Sequence, residues 1–199
     1  MHPALRRGAN LADNRGMNPV IPFASLWKPI TAMAAVIVAS NLLVQYPIGD
    51  WLTWGAFTYP LVFLVTDLTN RAVGPQAARR VAWAGLLVAV VVSLALGPWR
   101  IALASCTAFI VAQLLDIGVF NRWRQSSWWK APLLGSIVAS IVDTAIFFSI
   151  AFAGEPGVDW RMLAAGDLAV KGLMALVLLA PYRALLPRLP AWGAAARAG

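Results

Sequence analysis

The sequence predicts an all-α membrane protein, a bundle of six transmembrane helices with both termini cytoplasmic, and three observations carry that expectation. Of 199 residues, 60% are hydrophobic and 12% charged, with a mean hydropathy of +0.72. One soluble core cannot hide that much apolar surface, so the bilayer is the solvent. Second, six apolar runs occur at roughly 29–46, 53–71, 80–97, 101–121, 131–153 and 164–186, each near the ~20 residues a helix needs to cross hydrocarbon. Third, basic residues and tryptophans collect at the ends of those runs.

Each element follows in order. Residues 1–28 are polar, interrupted by prolines and carry Arg6, Arg7, Arg15 and Lys28. No signal-peptide core is present there, so the segment reads as a cytoplasmic tail in which Met17 offers a second start. The first run holds a small-xxx-small pattern, Ala35 and Ala39. Only "GPWR" separates the third and fourth runs, which predicts a tight helical hairpin. Residues 29–186 thus form one six-helix transmembrane domain, and 187–199 a second cytoplasmic tail.

Orientation follows from the basic residues. Arg71, Arg79, Arg80, Arg122, Arg124, Lys130, Arg183, Arg188 and Arg197 share a side with the N-terminal tail, while Arg100 and Arg161 face the other side beside Asp50, Glu155 and Asp159. The richer side is cytoplasmic. Trp51, Trp54, Trp99 and Trp160 fall at outer helix ends, and Trp27, Trp83, Trp123, Trp128, Trp129 and Trp192 at inner ones, where amphipathic indoles prefer the headgroup level. Six spans divide into two sets of three. Halves of odd count, if related, are inverted, a 3+3 inverted repeat in which the second helix corresponds to the fifth.

Several function classes fall away. The net charge of +8 is spread over loops as topological information, so no nucleic-acid partner is expected. Cys106 is the single cysteine and His2 the single histidine, which leaves no metal site, no cofactor ligand set and no nucleophile–histidine pair for a membrane enzyme.

Three aspartates break the apolar runs, in "YPLVFLVTDLTNRAVG", "AQLLDIGVFNR" and "SIVASIVDTAIFF". An ionisable group near the bilayer centre costs roughly 2.5–3.5 kcal/mol even on the lenient insertion scale, so such groups face a cavity or a partner. Helical spacing puts Tyr59, Phe63, Asp67 and Asn70 on one stripe, with Arg71 flanking. The fourth helix repeats it with Ser105, Phe109, Gln113, Asp116 and Phe120, and the fifth with Ser136, Ser140, Asp143 and Phe147, Thr144 alongside. Hydrogen-bonding groups interleaved with aromatics suit a small planar polar ligand, stacked on its faces and bonded at its edges. By helical rise, Asp143 lies about 18 Å and Lys171 about 20 Å from the inner ends of their helices, a midplane pair. Asp67 and Asp116 lie about 6–8 Å from the cytoplasmic ends, near Arg71, as an inner gate or ion-pair layer.

The stretches "FTYPLVFLVTDLTNRAVGPQAARR", "AQLLDIGVFNRWR" and "WWKAPLLGSIVASIVDTAIFFSIAF" resemble the queuosine-precursor transporter family, the vitamin-uptake-like transporters, over roughly residues 30–186. Motif positions matched are Thr66, Asp67, Leu68, Thr69 and Arg71, then Gln113, Leu114, Asp116 and Asn121, then Asp143 and Thr144. The resemblance implies six spans in the bacterial inner membrane and uptake of 7-cyano-7-deazaguanine or 7-aminomethyl-7-deazaguanine. The family's small size suggests a homodimer. A deazaguanine presents adjacent donors at its ring N–H and exocyclic amine for a carboxylate, and a carbonyl for a Gln amide or Lys. The expected substrate-binding set is Asp143, Gln113, Asp116, Asp67, Thr144, Phe109, Tyr59 and Lys171. The residues alone also admit the substrate-binding subunit of an ATP-driven vitamin importer, or a carrier or channel for another flat heterocycle.

Overall fold

The computed structural model describes residues 22–49, 52–155 and 159–189. The expected tail residues Arg6, Arg7, Arg15 and Met17, the loop residues Asp50 and Trp51, and Trp192 and Arg197 lie outside the described residues. Helices form the protein: α1 (Trp27–Leu43), α2 (Trp54–Thr58), α3 (Leu61–Val73), α4 (Pro75–Leu96), α5 (Trp99–Trp123), α6 (Lys130–Phe152), α7 (Trp160–Val177) and α8 (Leu179–Leu185). Five described stretches are long and apolar enough to cross a membrane: Phe23–Leu43, Pro75–Leu96, Trp99–Trp123, Lys130–Phe152 and Trp160–Arg188. The chain is a helical, multi-pass membrane protein.

The second apolar run is not among those five, because Pro60 divides it into α2 and α3. Proline has no N–H to continue the ladder, and the chain tightens there, with the amides of Val62 and Phe63 donating to Tyr59 O at 3.0 Å and Pro60 O at 3.1 Å. The sixth run is interrupted in the same way at Leu178, three residues before Pro181. Between α1 and α2 lies a feature the all-α expectation lacks. Strands β1 (Pro47–Ile48) and β2 (Leu52–Thr53) pair antiparallel, Pro47 opposite Thr53 and Ile48 opposite Leu52.

Helix ends are fixed by local chemistry. Gly74, at φ 112°, ends α3 in a backbone conformation that L side chains rarely adopt, and Pro75 opens α4 at the position where its missing N–H costs nothing. The loop expected over residues 71–80 is therefore one residue, and Arg79 and Arg80 lie on α4. Arg71 and Arg124 cap each other's helices: Arg71 Nη1 donates to Arg124 O at 2.9 Å, and Arg124 Nη2 to Arg71 O at 2.8 Å. At the opposite end, Arg100 donates to the α6 terminal carbonyls of Ile150 at 2.8 Å and Ala153 at 2.6 Å, and pairs with Glu155 at 2.5 Å. Cations at helix C-termini satisfy orphan carbonyls and complement the helix dipole.

α5 and α6 form the most extensive contact, with α4 and α1 packed on one side of them and α7 on the other. Met33, Ile37, Phe63, Val81 and Phe109 are buried at the centre. Leu87, Val91 and Leu94 project outward from one face of α4, as expected for a surface solvated by lipid. α1, α4 and α5 meet at Gly85, where a Cβ would stand 2.8 Å from Met33 Cγ and 3.1 Å from Phe109 Cζ. Gly85→Val therefore overpacks this junction, with an expected cost of about 1–3 kcal/mol read as a lower melting temperature in detergent; an unchanged value would show that the helices are not held at this separation.

Candidate functional site

Within the half of the bundle that carries the β-ladder lies a cavity of about 200 Å³, several times the ~30 Å³ share of one water. It reaches the exposed residues Val44, Gln45, Leu96 and Gly97 at one end and Asp143, Asp167 and Lys171 at the other. Tyr59, Phe109 and Phe147 supply aromatic wall, and Ser105, Asn41 and Ser93 supply polar wall. These wall groups come from α1, α4, α5, α6 and the end of α2, and the break at Pro60 leaves α2 packed against α7 as well as α1.

The depth of the cavity ends in a buried charge cluster. Lys171 is 4% exposed, and its Nζ donates to Asp143 Oδ2 at 2.6 Å, Asp167 Oδ2 at 2.5 Å and Thr144 Oγ1 at 3.2 Å. Tyr59 OH donates to Asp143 Oδ1 at 3.1 Å, and its ring centroid lies 5.4 Å from the ammonium. Thr144 Oγ1 donates to Asp167 Oδ2 at 2.7 Å. Burial of an ion costs several kcal/mol after relaxation, which such a network of close, charge-assisted bonds offsets. With all three groups ionised, two acids and one base leave the cluster one negative charge, open to a ligand that brings donors.

A second layer lies deeper. Gln113 and Asp116 follow Phe109 by one and two turns on α5, and Thr66, Asp67 and Asn70 face them from α3; all five are at most 2% exposed. Thr66 Oγ1 donates to Val62 O at 3.0 Å and lies 2.5 Å from the side-chain amide of Gln113, and Asn70 Nδ2 donates to Ile117 O at 3.4 Å. Asp67 and Asp116 adjoin. Apart from that mutual contact, no described residue donates to Asp67 Oδ1 or to either Asp116 oxygen. Asp116 lies hard against Gly135 of α6, where any Cβ would collide with its Oδ1.

The expected residues thus separate. Tyr59, Phe109, Asp143 and Lys171 meet at the cavity, and Thr144 bonds to its charge cluster. Asp67, Gln113 and Asp116 do not line it. The ion pair expected between Asp67 and Arg71 is not formed: among the described residues the salt bridges are Arg100–Glu155, Lys171–Asp143 and Lys171–Asp167. Arg71 turns instead to Tyr182 OH at 3.0 Å, to Arg124 O and to the Phe120 ring, because the carbonyl end of α5 lies closer to its guanidinium than the acid one turn back. Asp167 was absent from the expected set, although its place four residues before Lys171 was a legible signal for an i,i+4 pair.

A broken-helix membrane bundle with a ligand-sized cavity ending in buried charges defines the class of membrane transporters. The family model described as "Putative vitamin uptake transporter" matches residues 53–99 and 93–185, and the chain belongs to that family. It is 37% identical to the "Queuosine precursor transporter" of Escherichia coli (strain K12), with 76% of this chain and 81% of that protein covered. It is 34% identical to the "Probable queuosine precursor transporter" of Haemophilus influenzae (strain ATCC 51907 / DSM 11121 / KW20 / Rd), covering 73% and 79%. A protein of the same printed name from Bacillus subtilis (strain 168) is 26% identical, covering 73% and 77%. No solved structure matches.

Removing the cation strands two acids beside each other. Lys171→Met is expected to destabilise the protein by about 3–5 kcal/mol, whereas Lys171→Met combined with Asp143→Leu removes the pair together and costs less than the sum of the two single changes. Thermal unfolding of the four proteins in detergent checks this; additive losses would mean that the two groups do not compensate each other.

Proposed function

We propose that this chain is a six-span transporter of the bacterial inner membrane that takes up a queuosine precursor, 7-cyano-7-deazaguanine or its 7-aminomethyl relative. The observation that carries the reading is the cavity itself: aromatic walls from Tyr59, Phe109 and Phe147 above a buried cluster with carboxylate acceptors. Stacking holds a flat two-ring heterocycle by its faces, and polar groups read its edges. The names of the relatives supply the substrate.

In this reading α2 with α3 makes the second span and α7 with α8 the sixth, which leaves both termini on one side. Among the described residues that side holds Lys28, Arg71, Arg79, Arg80, Arg122, Arg124, Lys130, Arg183 and Arg188, against Arg100 and Arg161 opposite, and the positive-inside rule makes it cytoplasmic. The cavity mouth then faces outward, and the Asp67, Gln113 and Asp116 layer closes the inner side as a gate. An inverted relation of the two halves is supported by the contact between the second and fifth spans, where Tyr59 meets Asp143 across the cavity. Alternating access follows from rocking one half against the other.

Uptake of labelled 7-cyano-7-deazaguanine by the purified protein in liposomes tests the proposal. Saturable uptake by this chain alone is expected; binding without uptake would identify the binding subunit of a larger importer. Asp67→Asn is expected to slow uptake while leaving equilibrium binding nearly intact, because the gate limits turnover and not recognition. Loss of binding in that variant would move Asp67 into the pocket.

A further inference from the structure

We infer that Asp167, and not Asp143, is the carboxylate that accepts a hydrogen bond from the ligand, at the exocyclic amine of a guanine-type heterocycle. The inference rests on the reading of the cavity as a heterocycle site, and it comes from counting donors and acceptors in the charge cluster.

An ammonium has three N–H donors. Lys171 has three acceptors around it, Asp143 Oδ2, Asp167 Oδ2 and Thr144 Oγ1, so no donor remains for a ligand. Asp143 is engaged at both oxygens, Oδ1 by Tyr59 and Oδ2 by Lys171, and its side chain is 4% exposed. Each of those oxygens keeps a lone pair, but so little of the side chain is exposed that a ligand meets it only if the cluster opens. Asp167 differs. Its Oδ2 accepts from Lys171 and Thr144, while no described residue donates to its Oδ1, and its side chain is 19% exposed where it lines the cavity. Both acids line the cavity, but Asp167 is the more exposed of the two and carries an oxygen to which no described residue donates.

Asp143 is then a positioning residue. With Tyr59 it fixes Lys171, and Lys171 with Thr144 fixes the rotamer of Asp167, so that Oδ1 points to the ligand at no further ordering cost. The arrangement selects ligands with N–H donors on the edge that reaches α7 and disfavours anionic ones, because a buried acceptor left without its donor costs more than a bond never built.

Binding to the full-length protein in detergent is measured for two ligands: 7-cyano-7-deazaguanine and the analogue that lacks the exocyclic amine. Wild type is expected to prefer the aminated ligand by about tenfold to a hundredfold, the range for a hydrogen bond to a charged group. In Asp167→Asn the side-chain oxygen is retained by Lys171 and Thr144, and the NH₂ replaces the open acceptor, so the preference collapses toward unity. Asp143→Asn lowers both affinities and keeps the preference. Asp167→Glu, which keeps a carboxylate, restores part of it, and thermal unfolding confirms that each variant is folded. A wild-type protein indifferent to the amine overturns the inference with no variant needed. So does an Asp167→Asn variant that keeps the full preference, or loss of the preference in Asp143→Asn alone. Failure of wild type to bind either ligand sinks the heterocycle reading itself, a separate outcome.

Discussion

The ammonium of Lys171 is the group around which the cavity half of the bundle is arranged. A cation that is 4% exposed between membrane helices is tolerable only if every N–H finds an acceptor, and its three acceptors arrive from α6 and α7. Tyr59, just before the break that separates α2 from α3, adds its hydroxyl to Asp143 and its ring to the ammonium. One compensated charge therefore ties together the second, fifth and sixth apolar runs. The space left between those helices, α1 and α5 is the cavity, so the binding site and the bond that holds the helices in place are the same feature.

The helix interruption at Pro60 lies beside this feature. A proline inside a bilayer leaves backbone groups that lipid cannot satisfy, so breaks persist where protein or a water-filled cavity lies alongside. Pro60 follows Tyr59, a cavity residue, and Leu178 lies two turns beyond Lys171. Discontinuous helices at a midplane site recur in transporters because a short helix can pivot where a continuous one would have to bend.

Much of this was legible in the sequence, and the failures have physical reasons. The stripes on the second, fourth and fifth runs pointed inward because polar side chains at helical spacing in an apolar segment have only the bundle interior to face. Asp143 and Lys171 were legible as partners because both lie many residues from any helix end. Asp167 was missed although its i,i+4 spacing to Lys171 was there to read; what the sequence does not carry is how α7 leans against α6 and brings the acid to Thr144. Arg71 misled in the opposite direction. Spacing of i,i+4 says which side chains can meet but ignores backbone acceptors, and here the carbonyl end of α5 outcompeted Asp67. The ladder of β1 and β2 was invisible because two-residue strands have no periodicity to detect.

The two polar layers differ in how completely they are bonded, and that difference suits the roles assigned to them. In the outer cluster Lys171, Asp143, Thr144 and Tyr59 all have partners. In the inner layer no described residue other than the facing carboxyl donates to Asp67 Oδ1 or to either Asp116 oxygen, and a buried polar group left short of partners costs stability. A layer fully bonded in its closed form would hold the helices shut. In the proposed gate, a layer that closes at a cost would regain hydration if α3 and α5 part, which narrows the gap between closed and open states. Gly135 allows the closed form by letting α6 approach Asp116 until a Cβ would not fit. Under the proposed gating role, tight packing at Gly135 opposes the cost of poor hydrogen bonding, and an equilibrium set by opposing terms is one that substrate binding can tip.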